Sequence, residues 1–341
     1  MTLTSRMTAC AIAAAACLGP VAAAAQGELN LYSSRHYDTD ERLYSDFEEM
    51  TGITINRIEG NADELIARMQ AEGRNSPADV LLTVDTSRLE RARDAGLLQA
   101  IESPVLETRV PDYLQDEGDQ WFGFSQRARI IFYDNQDVTD PPLTYQELAD
   151  PKYKGLVCIR SGTNAYMQTI LAALIEHLGE DAARDWAADV VANFARDPQG
   201  GDTDQLRGIV SGECDIAMSN TYYFARAIRT DVSGLSDSLD MIGWVFPNQD
   251  SIGAHMNLSG GGVAAHAPNK ENAVKFLEYL TSEQAQKYFS AGNDEYPAVP
   301  GVGLSPSVAA LGFFKPDDID LSAVAGNIPT AQKIFNEVGW K

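Results

Sequence analysis

The tyrosines are the side chains of this sequence whose spacing suggests chemistry. One turn reads Ser33-Ser34-Arg35-His36-Tyr37-Asp38-Thr39-Asp40, a second Ser161-Gly162-Thr163-Asn164-Ala165-Tyr166, and a third Ser219-Asn220-Thr221-Tyr222-Tyr223. Each follows a short apolar run of strand character and precedes a helical pattern. In open α/β sheets, ligands bind outside the carboxyl ends of the strands. Tyr37, Tyr166, Tyr222 and Tyr223 are therefore expected to face one cleft. Adjacent residues on a strand point to opposite faces. At a helix N-terminus they lie only about 100° apart around the axis, so there Tyr222 and Tyr223 can share a ligand. The partial positive charge of that N-terminus also favours phenolate over phenol.

Free tyrosine titrates near 10, so phenolates at neutral pH need a strong local cation. A trivalent metal supplies it, because a bound ion depresses the pKa of its ligands. Phenolate is a hard anionic oxygen donor, which points to a hard cation such as Fe(III). The absence of thiols from these turns and the scarcity of histidine argue against copper(I) and zinc. Four phenolates around Fe(III) leave a net charge of −1, and Arg127 or Arg35 is positioned in the sequence to compensate it. His36 is a weaker candidate ligand. Taken singly, each tyrosine is the kind of residue that packs and hydrogen-bonds at a cleft mouth. Their joint placement at three turns carries the reading. Tyr44 serves as a control, since it falls on the apolar face of a helix, and Tyr32, Tyr133, Tyr279 and Tyr288 are assigned to packing.

His36-Tyr37-Asp38 also reads as H-x-D, part of the facial triad of non-haem iron oxygenases. That triad needs a second histidine, and His177, His255 and His266 lack local support for the role. Gly260-Gly261-Gly262 lacks the strand-turn-helix spacing of a nucleotide loop. With no GxSxG turn, P-loop or acid/base pair, the sequence offers no catalytic constellation.

The elements that must hold these turns alternate. Leu29 to Ser34 predicts a strand, Asp40 to Met50 a helix, Ile53 to Ile58 a strand, Ala62 to Glu72 a helix ended by Gly73, and Val80 to Thr83 a strand. Such alternation argues for a parallel sheet with helices on both faces. Arg127 to Tyr133 reads as a longer strand crossing between lobes. The pattern then restarts with strands at Leu156 to Ile159 and Asp215 to Met218, and helices at Met167 to Leu178 and Tyr223 to Arg229. Met241 to Phe246 is the candidate for the returning crossover, followed by helices at Ala273 to Leu280 and Glu283 to Phe289. Two α/β lobes joined by two crossover strands describe a hinged binding protein with its ligand in the cleft. The expected division is 26–128 with 241–290 for the first lobe, and 129–240 with 291–341 for the second.

Residues 1–25 read as a cleavable signal peptide: Arg6, an alanine-rich apolar stretch, and Ala23-Ala24-Ala25 before Gln26. This places the mature chain in the periplasm. The formal net charge of −23 over 341 residues repels nucleic acid and anionic membrane surfaces and attracts cations. Cys158 and Cys214 sit in apolar runs. They are either bridged, closing a loop worth about 4 kcal/mol in the chain-entropy model, or two small buried thiols.

The segments LYSSRHYDTDERLYSDFEEMTG, WFGFSQRARIIFYD, FARDPQGGDTDQLRGIVSGECDIAMSNTYYFAR and NKENAVKFLEYLTSEQAQ together resemble the ferric-iron-binding components of ABC importers, especially the Fut-type branch. The resemblance runs from Leu29 to about Val299, and RHY, NAY and NTYY are its specific parts. It implies a type II periplasmic binding fold, with Fe(III) held in the interlobe cleft by tyrosines matching Tyr37, Tyr166, Tyr222 and Tyr223. The histidine matching His36 is a ligand in some members and a bystander in others. Arg127 resembles the family's pocket arginine. The partner implied is an inner-membrane permease, the working form a monomer, and the activity binding rather than catalysis. The alternative is a protein of the same fold that binds a small organic solute, a polyamine or a carboxylate.

Overall fold

The computed structural model describes residues 27–35 and 37–341. Residues 1–25, expected to be a signal peptide, and His36 lie outside the described residues. Nine strands are described: β1 (Glu28–Ser33), β2 (Thr54–Glu59), β3 (Val80–Thr83), β4 (Phe122–Asp134), β5 (Val157–Cys158), β6 (Ile216–Asn220), β7 (Ile242–Val245), β8 (Met256–Val263) and β9 (Tyr296–Pro297).

β1 pairs in parallel with β2 on one side and β3 on the other. The intervening helices follow from local sequence. Helix Glu41–Thr51 buries Leu43, Tyr44 and Phe47 on one face and stops at Gly52. Gly52 takes the left-handed conformation and donates its N–H to the Glu48 carbonyl, a C-cap that suits glycine. Helix Ala62–Glu72 starts at Asn61, whose side chain accepts from the Asp63 N–H at 2.9 Å.

β4 joins the two halves of the molecule. Its first part, from Phe122 to Ala128, pairs antiparallel with β8, which in turn pairs with β3. Its second part, from Arg129 to Asp134, pairs antiparallel with β6 and β7. β5 then adds to β6 in parallel, through only the pairs Val157↔Ile216 and Cys158↔Ala217. The pairing partner therefore changes between Ala128 and Arg129.

The reading of Met241 to Phe246 as the returning crossover does not match the pairing. β7 stays with the second part of β4, where Gly243 opposes Tyr133 and leaves space for its ring. The strand that runs back beside the first part of β4 is β8. Its Gly260-Gly261-Gly262 lies in the sheet interior, where a Cβ would run into the backbone oxygens of Phe122, Leu81 and Gln120. Glycine lowers strand propensity, so the feature that lets this strand fit also hides it.

Buried apolar side chains form three clusters. One gathers around β1, β3 and the first part of β4, with Leu31, Phe47, Leu81 and Phe276 among its members. A second lies between helix Ala165–Leu178 and the chain's final helix, Leu321–Val338, with Ile170, Leu174, Ile334 and Phe335. A third, with Phe132, Leu206, Phe224 and Tyr296, sits beside the middle of β4. The final helix contains Pro329 with Gly326 one turn earlier, two residues that argue against a helix from sequence alone. It covers the turn that leads to Tyr166. Trp340 Nε1 donates to the Arg160 carbonyl at 2.9 Å, and the Gly162 N–H donates to the Lys341 carbonyl at 3.0 Å.

Candidate metal centre

The second half of the molecule holds three of the four tyrosines on two helix starts. Asn164 caps helix Ala165–Leu178, accepting from the Tyr166 N–H at 3.0 Å, so Tyr166 stands in the first turn. β6 ends at Asn220, and helix Thr221–Arg229 begins at once, placing Tyr222 and Tyr223 in its first turn. Asn220 stands at the N-cap position without capping. Its side-chain oxygen instead accepts from Arg129 Nη1 at 3.0 Å.

The phenol oxygens of Tyr166 and Tyr222 are 3.2 Å apart. The rings of Tyr222 and Tyr223 lie with centroids 4.2 Å apart, tilted by 31°. Tyr222 is buried and Tyr223 half-buried. Burial raises the Tyr222 phenol well above its ordinary value, and the nearby charges of Tyr37, Tyr166, Tyr223 and Asp202 act in the same direction. Tyr223 is pushed up to about 12, first by burial and then by Asp202.

Tyr37 comes from the other half, in the turn after β1. Burial first, then the Glu295 carboxylate, raises its phenol, against the pull of Arg35 and Arg127. Tyr37 is near enough to contribute to the shift of Tyr222, and Tyr166 to that of Tyr37. The sequence-predicted tyrosines are thus brought together from both halves. The five tyrosines expected to pack do so: Tyr32, Tyr44 and Tyr279 are buried in the first core, and Tyr133 and Tyr288 pack partly buried against their clusters.

Guanidinium groups lie near these rings. Arg127 is buried, with its guanidinium 5.9 Å from the Tyr166 ring centroid. It donates to Ser259 Oγ at 3.2 Å and to the Val84 carbonyl. Burial works against its charge, but Glu295, Tyr166, Tyr37 and Tyr222 together hold its pKa above the ordinary arginine value. Arg35 sits 4.9 Å from the Tyr37 ring centroid. It also forks onto Asp40 through bonds of 2.8 and 2.9 Å. Asp40 makes no capping bond at the start of helix Glu41–Thr51, where its own backbone is already helical.

Two buried carboxylates were missed by sequence reasoning. Glu295 lies 3.7 Å from both Arg35 and Arg127 and accepts from Ser125 Oγ at 2.7 Å. Asp202 takes Arg129 at 3.0 Å and Arg160 at 3.4 Å. Both occur in polar runs, NDEYP and GGDTD, that read as loops. The available signal was indirect: buried arginines need buried acids, and RAR in a strand announces two of them. Arg160 was missed likewise. It lies two residues beyond β5, with its guanidinium 5.6 Å from the Tyr166 ring centroid.

Beside the tyrosines is a cavity of about 510 Å³, reached by Arg35, Asn61 and Arg88 from one side and by Arg160, Tyr166 and Tyr223 from the other. Among the described residues, no three His, Cys, Asp or Glu side chains gather as a metal-binding group. The cavity lining also includes the carboxylates of Glu59 and Asp85 beside the phenols of Tyr166 and Tyr223.

A family model described as bacterial extracellular solute-binding protein matches residues 42–316. Iron uptake protein A1 of Synechocystis sp. is 50% identical over 317 residues, spanning 93% of this chain and 88% of the relative. Among solved structures, the Trichodesmium FutA protein in complex with iron and citrate is similar at a TM-score of 0.88 and 48% identity, covering 92% of this chain and 100% of that one. The ferric binding protein from Campylobacter jejuni is similar at a TM-score of 0.85 and 40% identity, again over 92% of this chain and 100% of that chain.

Proposed function

Because this chain belongs to the bacterial extracellular solute-binding proteins, a family of binding proteins with the type II periplasmic fold rather than of enzymes, we propose that it captures ferric iron in the cleft between its halves. Tyr37, Tyr166, Tyr222 and Tyr223 are the ligands in this reading, and the iron passes to the permease of an ABC importer in the inner membrane. The observation that carries the proposal is the convergence of phenols: Tyr166 and Tyr222 in oxygen-to-oxygen contact at 3.2 Å, with Tyr223 against Tyr222. The iron-binding relatives support it.

Without a metal the phenols of Tyr37, Tyr222 and Tyr223 keep their protons at neutral pH, since all three are raised. A trivalent cation entering the cleft displaces those protons and is held by the resulting phenolates. Arg127 then offsets the surplus negative charge. Ligands from both halves make the closed cleft the form that binds best, so iron shifts the population toward closure. His36 is kept as an additional ligand of lesser weight. The lobe division expected from the sequence, 26–128 with 241–290 against 129–240 with 291–341, is proposed with one change: residues 241–255, which include β7, go with the second lobe, and the return to the first lobe is made by β8. Export through the N-terminal signal peptide and action as a periplasmic monomer complete the reading.

Tyrosinate bound to Fe(III) absorbs visible light. The protein loaded with ferric iron is expected to be coloured, and calorimetry is expected to register iron in preference to polyamines and small carboxylates. A colourless loaded sample, or heat only with an organic solute, sinks the proposal.

A further inference from the structure

Cys158 and Cys214 form a disulfide, with Cα atoms 5.7 Å apart and both side chains buried. Its place in the fold is specific to the tyrosine cluster. Cys158 is the last residue of β5 and stands eight residues before Tyr166, while Cys214 stands just ahead of β6, eight residues before Tyr222. Two chain segments of equal length therefore leave one covalent bond and end on two phenol oxygens 3.2 Å apart. Between them the sheet itself offers little, because β5 and β6 pair at only Val157↔Ile216 and Cys158↔Ala217. Helix Asp202–Val210 closes over the bond at Gly208, where a Cβ would stand 2.8 Å from the Cys214 sulfur and 3.0 Å from the Cys158 sulfur. That helix also carries Asp202, which receives Arg129 and Arg160 behind the tyrosines.

We propose that the Cys158–Cys214 disulfide is a positioning cross-link for the metal site, fixing the separation of the turns that present Tyr166 and Tyr222-Tyr223. The inference rests on the ferric-iron reading above. Metal sites depend on the groups that orient their ligands, and loss of such a group typically costs 10- to 100-fold in affinity. A bond serving only global stability would leave the folded protein's iron affinity unchanged.

The test uses the full mature protein and the Cys158→Ala/Cys214→Ala double variant, both well below their unfolding temperatures. Iron affinity is measured by competition with nitrilotriacetate, together with the wavelength of the visible band and the rate of iron release. The variant is expected to hold iron about 10- to 100-fold more weakly, with a shifted band and faster release. In the metal-free state, an NMR cross-peak between the Tyr166 and Tyr222 rings is expected in the wild type and not in the variant. Wild-type affinity, band and cross-peak in a folded variant overturn the proposal. If the double variant does not fold, Gly208→Ala, which keeps the bond but presses on it, decides by the same measurements. Wild-type protein that binds no iron while showing the ring cross-peak removes the iron reading and leaves the positioning claim to the NMR comparison.

Discussion

The two walls of the cleft are built differently. The second wall presents Tyr166, Tyr222 and Tyr223 from the first turns of two helices whose strands are paired and covalently linked. The first wall presents Tyr37 from the turn after β1, among charged groups: Arg35, Asp40, Glu295 and, close behind, Arg127. Both walls carry charged groups, since Arg129, Arg160 and Arg226 lie near the rings of the second wall, but in the proposed reading one wall supplies three donors and the other supplies one. This division suits a protein that must both hold and release a cation. In the proposed reading, a pre-arranged partial site on one side accepts the metal, and a single ligand from the other side makes closure depend on it.

The largest expected effect concerns both walls at once. Burial raises the phenols of Tyr37 and Tyr222 and takes Tyr223 up to about 12. All three are protonated in the metal-free protein at neutral pH, and each releases one proton on becoming a ligand. If they are ligands as proposed, iron affinity rises with pH by about tenfold per pH unit for each proton displaced, or at least about 1000-fold per unit from these three alone. Competition against a chelator at several pH values, corrected for the chelator's own titration, measures the slope. A flat profile would remove phenolate ligation altogether.

Removing donors separately ranks the walls. Tyr222→Phe keeps the ring beside Tyr223 but deletes the oxygen in contact with Tyr166. It is expected to cost more than about 100-fold in iron affinity, above the range for groups that merely orient ligands, and to lower the pH slope by about one. The check is the same competition assay, with circular dichroism confirming an intact fold. Tyr37→Phe leaves the second wall's three donors in place, so a smaller loss of about 10- to 100-fold is expected. Its distinctive outcome is in shape. The iron-induced fall in radius of gyration, measured by X-ray scattering, should vanish although iron still binds. Persistent closure in that variant would show that Tyr37 does not link the walls.

How far the sequence alone reached follows the same asymmetry. Strand-helix alternation was legible around β1 to β3 because each element there is regular and ends on glycine or an N-cap, as at Gly52 and Asn61. The tyrosines were legible because three turns share one plan. What stayed hidden depends on tertiary pairing. β8 is disguised by its glycines, which are required where neighbouring backbones approach closely. Helix Leu321–Val338 contains Pro329 and owes its place to packing against helix Ala165–Leu178. Glu295 and Asp202 look like loop acids until the buried arginines they serve are located. The cysteine pair was readable as an alternative only, since buried strand cysteines look alike whether bridged or not.

The smallest effect belongs to His36, beside Tyr37 in the sequence. Imidazole has an ordinary pKa near 6.5, so it coordinates in the neutral form without displacing a proton above about pH 7. His36→Gln is therefore expected to leave the pH slope between about pH 7 and 8 unchanged and to weaken iron by less than about tenfold, below the range set for Tyr37→Phe. Below pH 6.5 the two proteins should diverge if His36 binds, because protonation of the histidine then competes with the metal in the wild type and not in the variant. Parallel profiles down to about pH 5.5 would make it a bystander. A loss larger than that of Tyr37→Phe would reverse the ranking, making the histidine rather than the tyrosine the first wall's principal donor.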